Sequence, residues 1–191
     1  VGRAGIESKK EEGVFLRPEE KLEEMGLEIP SVPPPIASYQ PGVKSGSYLF
    51  ISGQIPLTDD EVNSQDNTEQ SAGPEQFPWV RRPVRVLCSG QVGRDVTVEE
   101  AHDAARTCAL KCISIMQDEL GDLSRVKRIA KVTGYVNAAP GFAEHPKVVN
   151  GASDLLVEVF GEAGKHARAA VGMSGLPLDA AVEVEMVVEF E

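Results

Sequence analysis

Apolar side chains recur every three or four positions across residues 97–121: Ala101, Ala104, Ala105, Cys108, Cys112, Ile115, Met116 and Leu120. That period marks one face of an amphipathic helix. Thr97 and Glu100 form a capping-box pair at its start, and Gly121 supplies its stop. The same period returns in Val148, Val149, Ala152, Leu155, Leu156, Val159 and Phe160, ended by Gly161 or Gly164. Elsewhere the period is two. Val182, Val184, Met186, Val188 and Phe190 share one face of a closing strand, and Glu183, Glu185 and Glu189 share the other with Val187. Residues 126–136 alternate likewise, with Ala130, Val132, Gly134 and Val136 opposed to Lys131, Thr133 and Tyr135. Strands are also expected over 47–56, where Gly53 suggests a bulge or a close backbone approach, and over 166–173. Strand-like alternation resumes over 83–93.

The remaining segments lack either period. Residues 1–13 are polar and charged, and are expected to be a flexible end. Residues 17–25 predict a short helix: Pro18 suits a first turn, Glu19 and Glu20 suit the positive helix end, and Gly26 stops it. Four prolines within residues 29–36 demand an extended connector. Residues 58–82 are rich in Asp, Asn, Gln, Ser and Glu and poor in aliphatics, as a long surface insertion would be. The order strands, long helix, strand, helix, two strands fits an α+β layer, with two helices on one face of a mixed sheet. The expected organisation is one domain over 1–191, carrying an N-terminal extension (1–35) and a polar insertion (58–82).

Composition narrows the function classes. The chain has 191 residues, 41% of them apolar and 26% charged, enough for a core without disulfide or metal staples. Thirty acidic residues against 19 basic give a net charge of −11. That argues against a nucleic-acid groove or a polybasic membrane patch. No apolar run is long enough to span a bilayer. Cys88, Cys108 and Cys112 are an odd count without framework spacing, which suits reduced thiols in a cytoplasmic compartment, or an organelle matrix if a transit peptide has been removed. No metal ligand set is expected.

Glycine-rich phosphate and dinucleotide fingerprints are absent, as is the GxSxG elbow. His102, His145 and His166 have no paired metal-ligand spacing. His166 precedes Arg168 by two, so on a strand both would face the same way. Arg168 stands among Ala167, Ala169, Ala170 and Val171. A lone cation there is either an edge-strand arginine paired with an acidic neighbour, or a guanidinium fork for a substrate carboxylate. Glu183 and Glu185 are either a wet acidic sheet face or a buried pair able to orient water or carry a proton. In Ser52-Gly53-Gln54, the glycine could turn backbone N–H groups toward a ligand.

Taken together, these segments resemble the Rid family, also called YjgF-like or reactive-intermediate deaminase proteins, with the older name endoribonuclease L-PSP or translation inhibitor. The carrying residues are YLFISGQIP (48–56), RAAVGMSGLP (168–177) and VEVE (182–185), with Tyr39 ahead of the first strand. NGASDLLVEVF (150–160), GEAGKHARAAVG (161–172) and LGDL (120–123) are similar to a longer subgroup with an N-terminal helix and Pro-rich lead-in. The resemblance implies a chorismate-mutase-like α+β fold and a homotrimer with a central barrel and inter-subunit clefts. It implies cofactor-free hydrolysis of 2-imino or enamine acids, such as 2-aminoacrylate, to 2-keto acids and ammonia.

Within the resemblance, Arg168 falls on the carboxylate-binding arginine and Glu183 on the glutamate that positions water. Ser52, Gly53 and Tyr39 fall on the pocket lining. Asn150 matches the pocket-asparagine motif, while helix spacing places Ser153 or Asp154 nearer its position. Ala170 stands where many members have cysteine, so no thiol role is implied there. The competing readings are a non-catalytic binder of small carboxylates or keto acids, an endoribonuclease or translation inhibitor, and a structural trimer.

Overall fold

The computed structural model describes residues 16–32, 37–57, 71–72 and 84–191. The expected flexible end, most of the 58–82 insertion and part of the Pro-rich connector lie outside the described residues.

Chain order is α1 (Pro18–Glu24), β1 (Gly42–Ser45), β2 (Tyr48–Gln54), β3 (Ser71–Ala72), β4 (Val84–Arg85), α2 (Val98–Leu120), β5 (Val126–Asn137), α3 (His145–Phe160), β6 (Ala167–Met173) and β7 (Val182–Phe190). The main sheet runs β1-β2-β7-β5-β6. Only β5 and β6 pair in parallel; the other neighbours are antiparallel. This is the mixed α+β layer that the order of elements predicts. It differs over 83–93, where only Val84–Arg85 is a strand; it pairs with Ser71–Ala72 in a separate two-stranded sheet. Leu57–Val86 and Ser89–Ala180 are single bridges. Alternation there serves a small apolar cluster of Ile55, Leu57, Val84, Val86, Leu178 and Ala180, not a sixth strand of the main sheet.

Helix α2 forms for local reasons. The Thr97 hydroxyl accepts from the Glu100 N–H at 3.2 Å, and the Glu100 carboxylate accepts from the Thr97 N–H at 2.9 Å. Gly121 closes the helix at φ 78°, in the left-handed region. Its apolar stripe lies on β7, with the Cys108 and Cys112 thiols over the Val182 and Val184 carbonyls. Burial raises both thiols well above their ordinary range, so they are inert packing groups. Cys88 is half-buried and pushed up to about 11, chiefly by desolvation, with Glu100 adding to it.

Helices α2 and α3 approach closely because residue 151 is glycine. A Cβ there would stand 1.9 Å from the His102 carbonyl oxygen. Backbone cannot swing aside as a side chain can. Gly151→Ala is therefore expected to lower stability by about 1–3 kcal/mol through overpacking, although alanine favours helix by about 1 kcal/mol over glycine. Urea unfolding measures this, and a Gly151→Ala chain as stable as wild type would contradict the close crossing.

Register divides the sheet into two faces. Val182, Val184, Met186 and Val188 of β7, with Val132 and Val136 of β5, are buried under α2 and α3. The opposite face carries Glu183, Glu185, Val187, Thr133, Tyr135, Tyr48, Phe50 and Val43. No element among the described residues covers it, and Val43 and Phe50 are 51% and 47% exposed. Just before β7, Leu178 and Asp179 adopt φ 57° and 55°, costly values for side chains with a Cβ. The Asn137 amide donates to Asp179 Oδ1 at 3.0 Å and the Gly90 N–H to the Asp179 carbonyl at 2.8 Å. These bonds hold the turn that launches the strand bearing Glu183.

Candidate functional site

The candidate residues assemble into two groups on opposite faces of the sheet. The first surrounds Arg168 near the start of edge strand β6. Arg168 pairs with Val132 in register, so its side chain points to the helix layer. There its Nη1 donates to Asn150 Oδ1 at 2.8 Å and to Ser153 Oγ at 2.9 Å. Asn150 and Ser153 lie three apart on α3, and so face the same way. Of the three candidates for the pocket-asparagine position, Asn150 and Ser153 touch Arg168, while Asp154 is exposed. Ser153 Oγ also lies 3.0 Å from His166 Nε2, and His166 Nδ1 lies 2.6 Å from the Gly164 carbonyl oxygen.

Arg168 thus touches two neutral acceptors and, among the described residues, no carboxylate. Of the two alternatives for Arg168, the acidic neighbour is not found among the described residues. A half-buried guanidinium with spare donors is suited to an external carboxylate.

The second group surrounds Glu183. The β2–β7 register shifts between Ile51 and Gln54, which bulges Ser52 and Gly53. A Cβ on Gly53 would fall 1.8 Å from Glu183 Oε1, so the carboxylate occupies the space a side chain would take. The Ser52 hydroxyl donates to the Gln40 carbonyl at 2.7 Å, and the Ser52 N–H to the Pro41 carbonyl at 2.9 Å. Ser52 thereby draws the Tyr39 segment toward the bulge; Tyr39 is 40% exposed. Gln54 Nε2 donates back to the Ser52 and Gly53 carbonyls at 2.9 and 3.2 Å, which fixes the bulge.

Glu183 is raised above the ordinary carboxylate range, first by desolvation and second by the charge of Glu185. Glu185 accepts from the Tyr135 hydroxyl at 2.9 Å. A shallow cavity of about 270 Å³ lies beside Glu185, lined also by Ser52, Phe50, Thr133 and Lys131. The Tyr135–Glu185 bond has no sequence signal, because it spans two strands diagonally.

The two groups do not meet within one chain. From β6 to β7 is two strand spacings, about 10 Å, and the registers differ by three residues, about another 10 Å along the strands. Their side chains also leave opposite faces. Among the described residues, no group of three or more His, Cys, Asp or Glu is placed to hold a metal ion, and no helix is long and apolar enough to cross a membrane.

Residues 62–190 match the family described as "YjgF/chorismate_mutase-like, putative endoribonuclease". The chain belongs to this family. Within the YjgF-like family it is similar to the Trypanosoma cruzi protein named TCP17, at 42% identity over 169 residues, covering 88% of this chain and 91% of that protein. Among solved structures it is similar to a Shewanella oneidensis protein bearing the same endoribonuclease description, at 34% identity and TM-score 0.77, covering 92% of this chain and all of the other. An Agrobacterium tumefaciens protein of unknown function is 36% identical with TM-score 0.73, over 91% and 93% of the two chains. The YjgF-like match holds Asn150, Ser153, Arg168 and Glu183, whereas Tyr39, Ser52 and Gly53 precede it. These comparisons bear out the family and the chorismate-mutase-like fold that the sequence motifs imply.

Proposed function

We propose that this protein hydrolyses reactive 2-imino acids and their enamine tautomers, such as 2-aminoacrylate, to 2-keto acids and ammonia. The observation that carries the reading is Arg168, a guanidinium held by Asn150 and Ser153 with no carboxylate partner among the described residues. Membership of the YjgF-like family supports it.

The separation of the two residue groups supports a cleft between subunits. One subunit supplies Arg168, and a neighbour supplies Glu183, Gly53, Ser52 and Tyr39. The uncovered sheet face, with Val43, Tyr48 and Phe50 exposed, is the surface such a homotrimer would bury.

The chemistry needs no redox step. Enamine protonation at C3 gives the imine. Water then adds to C2 as Glu183 takes its proton, and the C=N electron pair goes to nitrogen, which is protonated. Glu183 returns its proton to the amine of the carbinolamine, the hydroxyl proton passes to water, the C–N bond breaks, ammonia leaves and the keto group forms. Arg168 fixes the substrate carboxylate, so that C2 meets an oriented water. Burial of Glu183 brings its proton affinity closer to neutral pH, where general-base work is most effective.

The test generates 2-imino acids in situ with an amino-acid oxidase, with semicarbazide competing for the imine. Faster keto-acid formation by the protein supports the reading; an inert protein across a panel of side chains refutes it for those acids. Under this reading kcat/KM rises with pH as Glu183 ionises. Because its folded value is raised, that limb is expected above the ordinary glutamate value of about 4.3. A pH profile checks this, and Glu183→Gln removes the limb.

A further inference from the structure

The proposed function leaves one arrangement unused, the chain Arg168–Ser153–His166–Gly164. The Gly164 carbonyl can only accept, so His166 Nδ1, 2.6 Å away, carries the proton. In a neutral ring Nε2 is then a lone pair, and it accepts from the Ser153 hydroxyl at 3.0 Å. With its hydrogen committed to His166, Ser153 can present only lone pairs to Arg168 Nη1, at 2.9 Å. The direction of every hydrogen in the chain therefore follows from one backbone carbonyl and a neutral ring.

We infer that Ser153 and His166 are positioning residues for Arg168: neutral His166 fixes the Ser153 hydroxyl as an acceptor for Nη1, which with Asn150 aims the rest of the guanidinium at a carboxylate. The inference rests on the carboxylate-binding reading of Arg168. Without the relay, the Ser153 hydrogen could rotate toward the guanidinium and push it out of line. Asn150 alone would leave the fork free to pivot about one bond.

The surroundings favour the neutral ring. Desolvation lowers the His166 value first, the Gly164 bond opposes it, and the Arg168 charge lowers it further. Other charges near it face away or are paired. Lys165 is exposed and pairs with Glu162, Asp154 is exposed, and Lys131 lies opposite Ala167, whose side chain leaves the other face of β6.

The experiment uses the full chain, with 2-oxobutanoate as the probe carboxylate. Calorimetry compares wild type, Arg168→Ala, Ser153→Ala, His166→Phe and His166→Gln, and long-range ¹⁵N spectra report the His166 tautomer. The expected result is a Nδ1–H tautomer at pH 7.5. His166→Phe and Ser153→Ala should bind about five- to tenfold more weakly, as loss of a hydrogen bond to a charged group's holder implies. His166→Gln, whose amide oxygen can replace the Nε2 lone pair, should recover most of the loss.

If Arg168→Ala loses binding while a folded His166→Phe binds like wild type, the relay is overturned and the carboxylate reading stands. If Arg168→Ala itself binds like wild type, both fall. A Nε2–H tautomer in the folded wild type also overturns the relay.

Discussion

Arg168→Ala is expected to lower kcat/KM for 2-imino acid hydrolysis by about 10²–10⁴-fold. Two charge-assisted hydrogen bonds to a substrate carboxylate are each worth about 1.5–3 kcal/mol, and about 1.4 kcal/mol is a factor of ten. The fold should tolerate the change, because Arg168 is half-buried and its described partners, Asn150 and Ser153, are neutral groups at the helix surface. Arg168→Lys keeps the charge but loses the planar fork, so its activity should fall between the two. The oxidase-coupled assay, corrected for the unaided hydrolysis of the imine, measures all three proteins. Wild-type kcat/KM in Arg168→Ala would remove Arg168 from the site.

Gly53→Ala should cost about 10²-fold in kcat while leaving the unfolding midpoint nearly unchanged. The added methyl would coincide with Glu183 Oε1, 1.8 Å from the new Cβ. That atom is the far end of a flexible side chain, so the carboxylate swings away and the backbone stays. The substitution alters no titratable residue, yet it displaces the group that takes a proton from water. Loss of a positioned general base typically costs about 10²–10⁴-fold. Matching losses in Gly53→Ala and Glu183→Gln would tie the bulge to the carboxylate. Full activity in Gly53→Ala, with Glu183→Gln inactive, would mean that Glu183 works from a position other than the one beside the bulge.

Both variants act on residues that the sequence already singled out, but for different reasons. Arg168 was conspicuous because a cation amid alanines has no local partner. Gly53 was conspicuous because a glycine in a strand pattern asks for a bulge, and the bulge between Ile51 and Gln54 is there. What the glycine makes room for was not visible. Glu183 is 130 residues away in the chain, and only the pairing of β2 with β7 brings them together. His166 is a similar case. Its two-residue spacing from Arg168 placed both on one side, yet the link between them is Ser153, which reaches the pair from another element.

The sequence misled over 83–93. Its alternation is real, and Val84 and Val86 are buried. The apolar partners are Ile55, Leu57 and Leu178, so the burial that alternation reports belongs to a small cluster beside the main sheet. Strand β1 left no signal at all, since Gly-Val-Lys-Ser has one strand former and takes its shape from pairing with β2. The left-handed turn at Leu178 and Asp179 was equally hidden, because leucine disfavours that conformation, aspartate only tolerates it, and distant bonds to Asn137 and Gly90 impose it.

The sequence alone determined whatever rests on local periodicity and local chemistry. That includes two amphipathic helices with the capping box of the first and a glycine stop for each, the alternating strands, the family motifs and the candidate residues Arg168, Glu183, Asn150, Ser52, Gly53 and Tyr39. Tertiary structure decided strand order, which face each candidate uses, and which candidates touch. It placed Arg168 with Asn150 and Ser153 on the helix side of the sheet, and Glu183 with Gly53 on the opposite face. The physical reason is that a side chain's face follows from its own strand's period, whereas its neighbours follow from pairings between segments far apart in the chain.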